Sequence, residues 1–185
     1  MAALVIPWGY YFLGLSRQEM LAIMVPIAIV MLFVDISRLC QWAFWSKFAV
    51  HIGGRMVRGH EHSGDFMGAT YILISVCLTV AMYSKPVAVA ALSFIIVGDS
   101  FAALIGRKFG RHRFGRKSIE GSFACLLSTA VVALLTPDLA LPITLTGAVA
   151  ATITEAVSLK VDDNISVPIV SGLVMTLLPL VFSVS

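Results

Sequence analysis

Three stretches hold the residues able to do chemistry in this chain of 185 residues. The first is Gly98-Asp99-Ser100, close to the end of a long apolar run. An aspartate at the centre of a membrane helix costs roughly 2.5–3.5 kcal/mol on insertion scales, and less toward the helix end. Asp99 should therefore face a polar interior, a base or a cation. A divalent-metal ligand and a partner of phosphate-binding bases are its two functional readings, and a structural ion pair with a nearby arginine is the plainer one. Gly98 beside it would allow close approach of a second helix or backbone.

The second stretch is a basic run, with Arg107, Lys108, Arg111, Arg113, Arg116 and Lys117 inside eleven positions. Arginine and lysine at this density suit phosphate oxygens, arginine through bidentate donors. Gly106, Gly110 and Gly115 let the chain fold closely around an oxyanion. Gly110 to Ser118 comes near the pattern G-x-x-x-x-G-K-[ST]. It carries one residue too many, Arg116, and follows an apolar helix rather than a strand, so a P-loop fold is excluded. The chemical idea survives, because glycines with Lys117 and Ser118 at the start of the next helix would suit a polyphosphate. The plainer alternative is a basic loop lying on anionic lipid. Ser118 also reads as a helix N-cap, with Glu120 in the first turn and Gly121 suited to close packing.

The third stretch is Glu155 with Val161-Asp162-Asp163-Asn164, ahead of Pro168. Carboxylate and amide oxygens are hard donors suited to magnesium, which takes one or two carboxylates together with substrate phosphates. The alternative is a polar turn capping the final helix. A fourth group, His60-Glu61-His62, does not have zinc spacing, because neighbours on a helix point apart.

The elements that must position these residues are apolar. The chain is 59% hydrophobic and 12% charged, about half the charge of an ordinary soluble domain. Apolar segments fall near 2–15, 20–37, 66–83, 87–105, 119–136, 142–158 and 166–183. Crossing hydrocarbon takes about 20 helical residues; six segments reach or approach that length and the first is short. Backbone groups cannot stay bare in lipid, and no barrel-like alternation is present, so the spans must be helices. The expected fold is all-α: a polytopic transmembrane helix bundle of about seven segments, with residues 1–185 forming one integral-membrane domain. The N-terminus has neither the basic start nor the cleavage site of a secretory signal, and reads as a first segment cut short. Cys40, Cys77 and Cys125 are scattered and suggest neither a disulfide framework nor a zinc site.

If all seven segments cross, connections 38–65, 106–118 and 159–165 share one side. They hold 11 of the 13 basic residues, leaving Arg17 and Lys85 opposite. The positive-inside rule places the rich side in the cytoplasm. Eight of the 10 acids lie in or near those connections, leaving only Glu19 and Asp138 opposite. Orientation alone would need the bases and not the acids, so a polar site is expected at that face. Asp35 and Arg38, three apart, should pair on one helix face. Residues 38–58 mix Trp42, Phe44, Trp45 and Phe48 with bases, as an interfacial helix does.

The combination of Gly98-Asp99-Ser100-Phe101-Ala102-Ala103, Gly106-Arg107-Lys108-Phe109-Gly110 and Lys117-Ser118-Ile119-Glu120-Gly121-Ser122 resembles the CTP-dependent lipid-alcohol kinases, such as dolichol, phytol and yeast-type diacylglycerol kinases. Glu155, Asp162-Asp163-Asn164 with Pro168, and Glu61 ahead of Gly68-Ala69-Thr70-Tyr71 extend the resemblance from about Asp35 to the end. It implies phosphoryl transfer from CTP to a lipid hydroxyl at the cytoplasmic face, with Mg2+ or a similar divalent ion. Its partners would be the lipid alcohol, CTP and membrane lipids, without nucleic acid, and a homo-oligomer is left open. On this resemblance Asp99, Glu155 and Asp163 would hold metal. Arg107, Gly110, Lys117, Ser118, Glu120, Gly121 and Asn164 would bind nucleotide. The general base would be Asp99, Glu61 or Asp163. The family is distantly similar to CTP:phosphatidate cytidylyltransferase, whose longer late pattern is missing here. That enzyme and a non-enzymatic lipid-binding bundle are the two alternatives.

Overall fold

Helix boundaries follow from local chemistry. Ser16 opens the second helix with a reciprocal capping box: its hydroxyl accepts from the Glu19 N–H at 3.2 Å, and the Glu19 carboxylate accepts from the Ser16 N–H at 2.7 Å. Pro86 sits in the first turn of the fourth helix, where its missing N–H is harmless. The computed structural model describes residues 2–40, 66–115, 117–157 and 161–182. Within them a short 3-10 turn, Ala2–Leu4, leads into α1 (Val5–Phe12) and α2 (Arg17–Leu39). Then come α3 (Gly68–Met82), α4 (Lys85–Phe109), α5 (Ile119–Leu135), α6 (Leu141–Val157) and α7 (Asp163–Phe182). Between α4 and α5 lie two short strands, β1 (Arg113–Phe114) and β2 (Lys117–Ser118). The expected all-α bundle is the observed one.

The central helix is α4, which packs on α1, α3, α5, α6 and α7, whereas α2 packs mainly on α3. From Val87 to Ile96 every residue of α4 is buried. Its contact with α5 rests on small residues four apart. Gly98 lies against Cys125 and Thr129, and Gly121 lies against the Ala102 carbonyl and Gly106. A β-carbon on Gly98 would come within 2.8 Å of Cys125 Sγ. Such ridges let helix backbones approach closely when lipid supplies no hydrophobic drive.

The opposite face of α5 shows what surrounds the bundle. Ile119, Phe123, Leu127, Val131, Leu134 and Leu135 form one exposed stripe. A soluble protein rarely leaves so large an apolar patch bare. Two helices, α2 and α4, are long and apolar enough to cross a membrane. The others are shorter, and the eight residues of α1 rise only about 12 Å. The chain is a membrane protein.

The helices alternate in direction, so the polar groups collect at two ends. At one end the Tyr11 hydroxyl donates to Asp138 at 2.8 Å, Arg17 donates to the Tyr83 carbonyl and Lys85 donates to the Leu15 carbonyl. The other end holds the close of α2, the start of α3, the β1–β2 hairpin, the close of α6 and the start of α7. The expected pair of Asp35 and Arg38 is present there, at 3.0 Å. Asp35 does more than that pairing suggested. Its second oxygen accepts from the Met67 N–H and the Thr70 hydroxyl, each at 2.7 Å, and so caps α3 from α2. The aromatic stretch proposed for the interface lies, from residue 41 on, outside the described residues.

Candidate functional site

The basic run is built as a hairpin rather than an open loop. Gly110 ends α4, and its N–H donates to the Gly106 carbonyl at 3.1 Å. A β-carbon on Gly110 would come 2.2 Å from that carbonyl oxygen, so the site needs glycine. The strands pair antiparallel, with Arg113 opposite Ser118 and Phe114 opposite Lys117. Gly115 supplies the positive φ of 61° for the turn.

Two contacts fix the hairpin to α5. Glu120 accepts from the His112 N–H at 3.2 Å and meets its Nδ1 at 2.8 Å, and the Ile119 N–H donates to the His112 carbonyl. Ser118 caps α5, its hydroxyl accepting from the Gly121 N–H at 3.1 Å. That hydroxyl is surrounded by Gly106, Gly110 and Gly121, where β-carbons would come within about 3 Å of it. Gly110, Ser118 and Gly121, expected at a nucleotide, thus hold the base of the hairpin against two helices. Glu120 braces its rising arm.

This bracing aims Lys117 into the bundle. Its ammonium bonds both Glu155, at the close of α6, and Asp163, the first residue of α7, the latter at 2.7 Å. Glu155 is 2% exposed, and its second oxygen is buried without a hydrogen-bond partner among the described residues. Asp163 stays partly open, with 26% of its side chain exposed. Asp162 caps α7, its carboxylate accepting from the Asn164 N–H at 2.9 Å and side-chain amide at 2.7 Å. Burial works against the Lys117 charge, but the Asp163 and Glu155 carboxylates outweigh it and hold its pKa above the ordinary lysine value. The stability this adds is complete below the unfolded lysine's pKa and is lost only as pH climbs through the raised one.

Asp99 is exposed on α4, one residue beyond the Gly98 contact. Gly98 faces Cys125 of α5, and the Cys125 sulfur meets the Thr152 hydroxyl, three residues before Glu155 on α6. Arg107 is exposed at the close of α4, and Asn164 is half-buried. Glu61 lies outside the described residues. Among those described, no three His, Cys, Asp or Glu side chains converge on one point. Of the expected metal ligands, Glu155 and Asp163 come together with Lys117 between them, and Asp99 does not join them in a set of three.

The donor set still fits magnesium. Two carboxylates, one with an orphaned oxygen, are hard ligands of the kind that take the ion jointly with phosphates. Sequence reasoning missed that Lys117 joins these two carboxylates. The available signal was Glu155 itself, an acid inside an apolar segment that needs a cation.

No protein-family model and no solved structure matches the chain. It is 26% identical over 188 residues to the uncharacterized protein RP860 of Rickettsia prowazekii, across 96% of this chain and 90% of that one. It is 29% identical over 120 residues to dolichol kinase sec59 of Schizosaccharomyces pombe, and 29% identical over 84 residues to the dolichol kinase of Saccharomyces cerevisiae. These matches take in 60% and 44% of this chain, but only 24% and 16% of the two kinases. The chain therefore has a distant, partial similarity to dolichol kinases.

Proposed function

We propose that this protein is a multi-pass lipid kinase that moves the terminal phosphate of CTP to the hydroxyl of a membrane lipid alcohol, at the cytoplasmic face. The observation that carries this reading is the Lys117–Glu155–Asp163 cluster. It joins a lysine ammonium, a group suited to phosphate, to two carboxylates of the kind that suit a metal. The partial similarity to dolichol kinases supports the lipid-kinase part of the reading.

In this mechanism Lys117 and the exposed Arg107 receive the nucleotide phosphates. Glu155 and Asp163 would hold a magnesium ion, which supplies charge neutralisation on the phosphates when bound. The lipid oxygen forms the new bond to the terminal phosphorus, the bond to the β-phosphate oxygen breaks, and CDP leaves. Asp99 takes the hydroxyl proton. It lies on α4, the helix that runs toward the hairpin. Such a transfer needs mainly positioning and charge stabilisation. The lipid tail stays among the apolar helices, with its hydroxyl at headgroup depth.

The deciding test supplies CTP labelled at the α or the γ phosphate, with magnesium and a panel of lipid alcohols and phosphatidate, to protein purified in detergent. Label from the γ position should enter an alcohol, with CDP released. Lipid carrying α label, with pyrophosphate released, would instead identify a cytidylyltransferase.

Orientation has its own test. Single cysteines at Arg111 and Asp138, in a background without Cys40, Cys77 and Cys125, are labelled in intact cells with an impermeant reagent. Position 138 should react and 111 should stay protected until the membrane is opened. The reverse pattern would overturn the orientation.

A further inference from the structure

We propose that Lys117 is a tethered counter-cation that occupies the Glu155–Asp163 carboxylate pair at rest and trades places with a divalent ion when a polyphosphate arrives. This deepens the kinase reading and rests on it for the identity of the polyphosphate. Lysine and metal have each been given a role at the phosphates, yet here the ammonium bonds the same two carboxylates a metal would take. Both cannot hold that position together.

The local charge favours an exchange over a permanent salt bridge. Among the described residues two carboxylates face one ammonium, which leaves the cluster one negative charge in excess. The Glu155 oxygen that has no partner among the described residues is buried, and an unsatisfied carboxylate oxygen there is costly. A divalent ion would neutralise both acids and engage that oxygen, which the single ammonium does not.

The exchange needs only the Lys117 side chain to move. Lys117 lies on a two-residue strand held by Glu120 and Ser118, and its own side chain contributes nothing to the hairpin ladder. Swinging the ammonium outward leaves the helix caps at Ser118 and Asp162 intact. Phosphate oxygens above the carboxylates would give it a new anion, while the metal fills the position it left. Metal and polyphosphate would then bind with reciprocal positive coupling. The device holds the affinity for the ion low until its substrate is present.

The test uses Mn2+ alone, with the full chain in detergent and neither nucleotide nor lipid. Loss of the free Mn2+ electron-spin signal reports binding. The wild type should bind weakly, and Lys117→Met should bind at least ten times more tightly. Glu155→Gln added to Lys117→Met should remove that gain. A folded Lys117→Met protein with unchanged Mn2+ affinity would overturn the proposal.

If that variant does not fold, the wild type answers the question. Reaction of Lys117 with an amine reagent, followed by peptide mass spectrometry, should rise as Mn2+ is titrated. A flat response through saturating Mn2+ would overturn the exchange. Both arms omit nucleotide, so they stand or fall separately from the transfer of labelled phosphate. A clear exchange without γ-phosphate transfer would retain this site and reject the kinase.

Discussion

Asp99→Asn and Asp163→Asn, made separately, should each lower the rate of phosphate transfer to lipid by at least about a hundredfold. Each substitution keeps the size and polarity of the side chain and removes only its charge. For Asp163 the loss falls on the pair that faces Lys117, so nucleotide-linked magnesium dependence should weaken along with turnover. For Asp99 the loss should fall on turnover, with nucleotide affinity changed little, because its role is to accept a proton. Asp138→Asn is the matched control. It removes a carboxylate at the other end of the bundle, where Asp138 accepts from Tyr11, and should leave the rate within about twofold, as is usual for surface substitutions. Thermal unfolding in detergent checks that all three proteins are folded. Near-normal rates in both Asp99→Asn and Asp163→Asn would show that neither carboxylate serves the reaction.

The helices were legible because lipid leaves the sequence little choice. An apolar segment between turn residues must form a helix there, and α3 to α7 fall within a few residues of the expected spans. The gathering of acids with bases at one end was legible for a related reason, since charges are confined to helix ends and connections. What could not be read was which charge meets which. Lys117 lies 38 residues from Glu155 and 46 from Asp163, and no periodicity links strands and helices across such distances. The near match to a phosphate-binding loop drew attention to Gly110, Lys117 and Ser118 for their similarity to that pattern. In the fold, Gly110 closes a helix, Ser118 opens the next, and only Lys117 reaches into the polar cluster. Asp35 was half read. Spacing revealed its arginine, but the start of α3, reached through a connection of more than 25 residues, left no local sign that it needed a cap from another helix.

Asp35→Ala should destabilise the bundle by about 3–5 kcal/mol, the range for removing one partner of a buried ion pair. Asp35 is fully buried, and each of its oxygens is engaged. Alanine would strip Arg38 of this carboxylate inside a side-chain environment only 10% exposed. It would also leave the Met67 N–H and the Thr70 hydroxyl without the acceptor that closes the first turn of α3. Thr70→Val removes one of these bonds and should cost about 1 kcal/mol. Replacing both charges, as Asp35→Leu with Arg38→Met, should recover part of the loss, since no stranded charge then remains to be desolvated. The recovery should be incomplete, because the Met67 N–H still lacks its acceptor. Reversible denaturation in mixed detergent micelles measures the series. An Asp35→Ala protein within about 1 kcal/mol of wild type, below that range, would show that α2 does not hold α3 through this carboxylate. Complete recovery in the double variant would assign the whole effect to the ion pair and none to the cap.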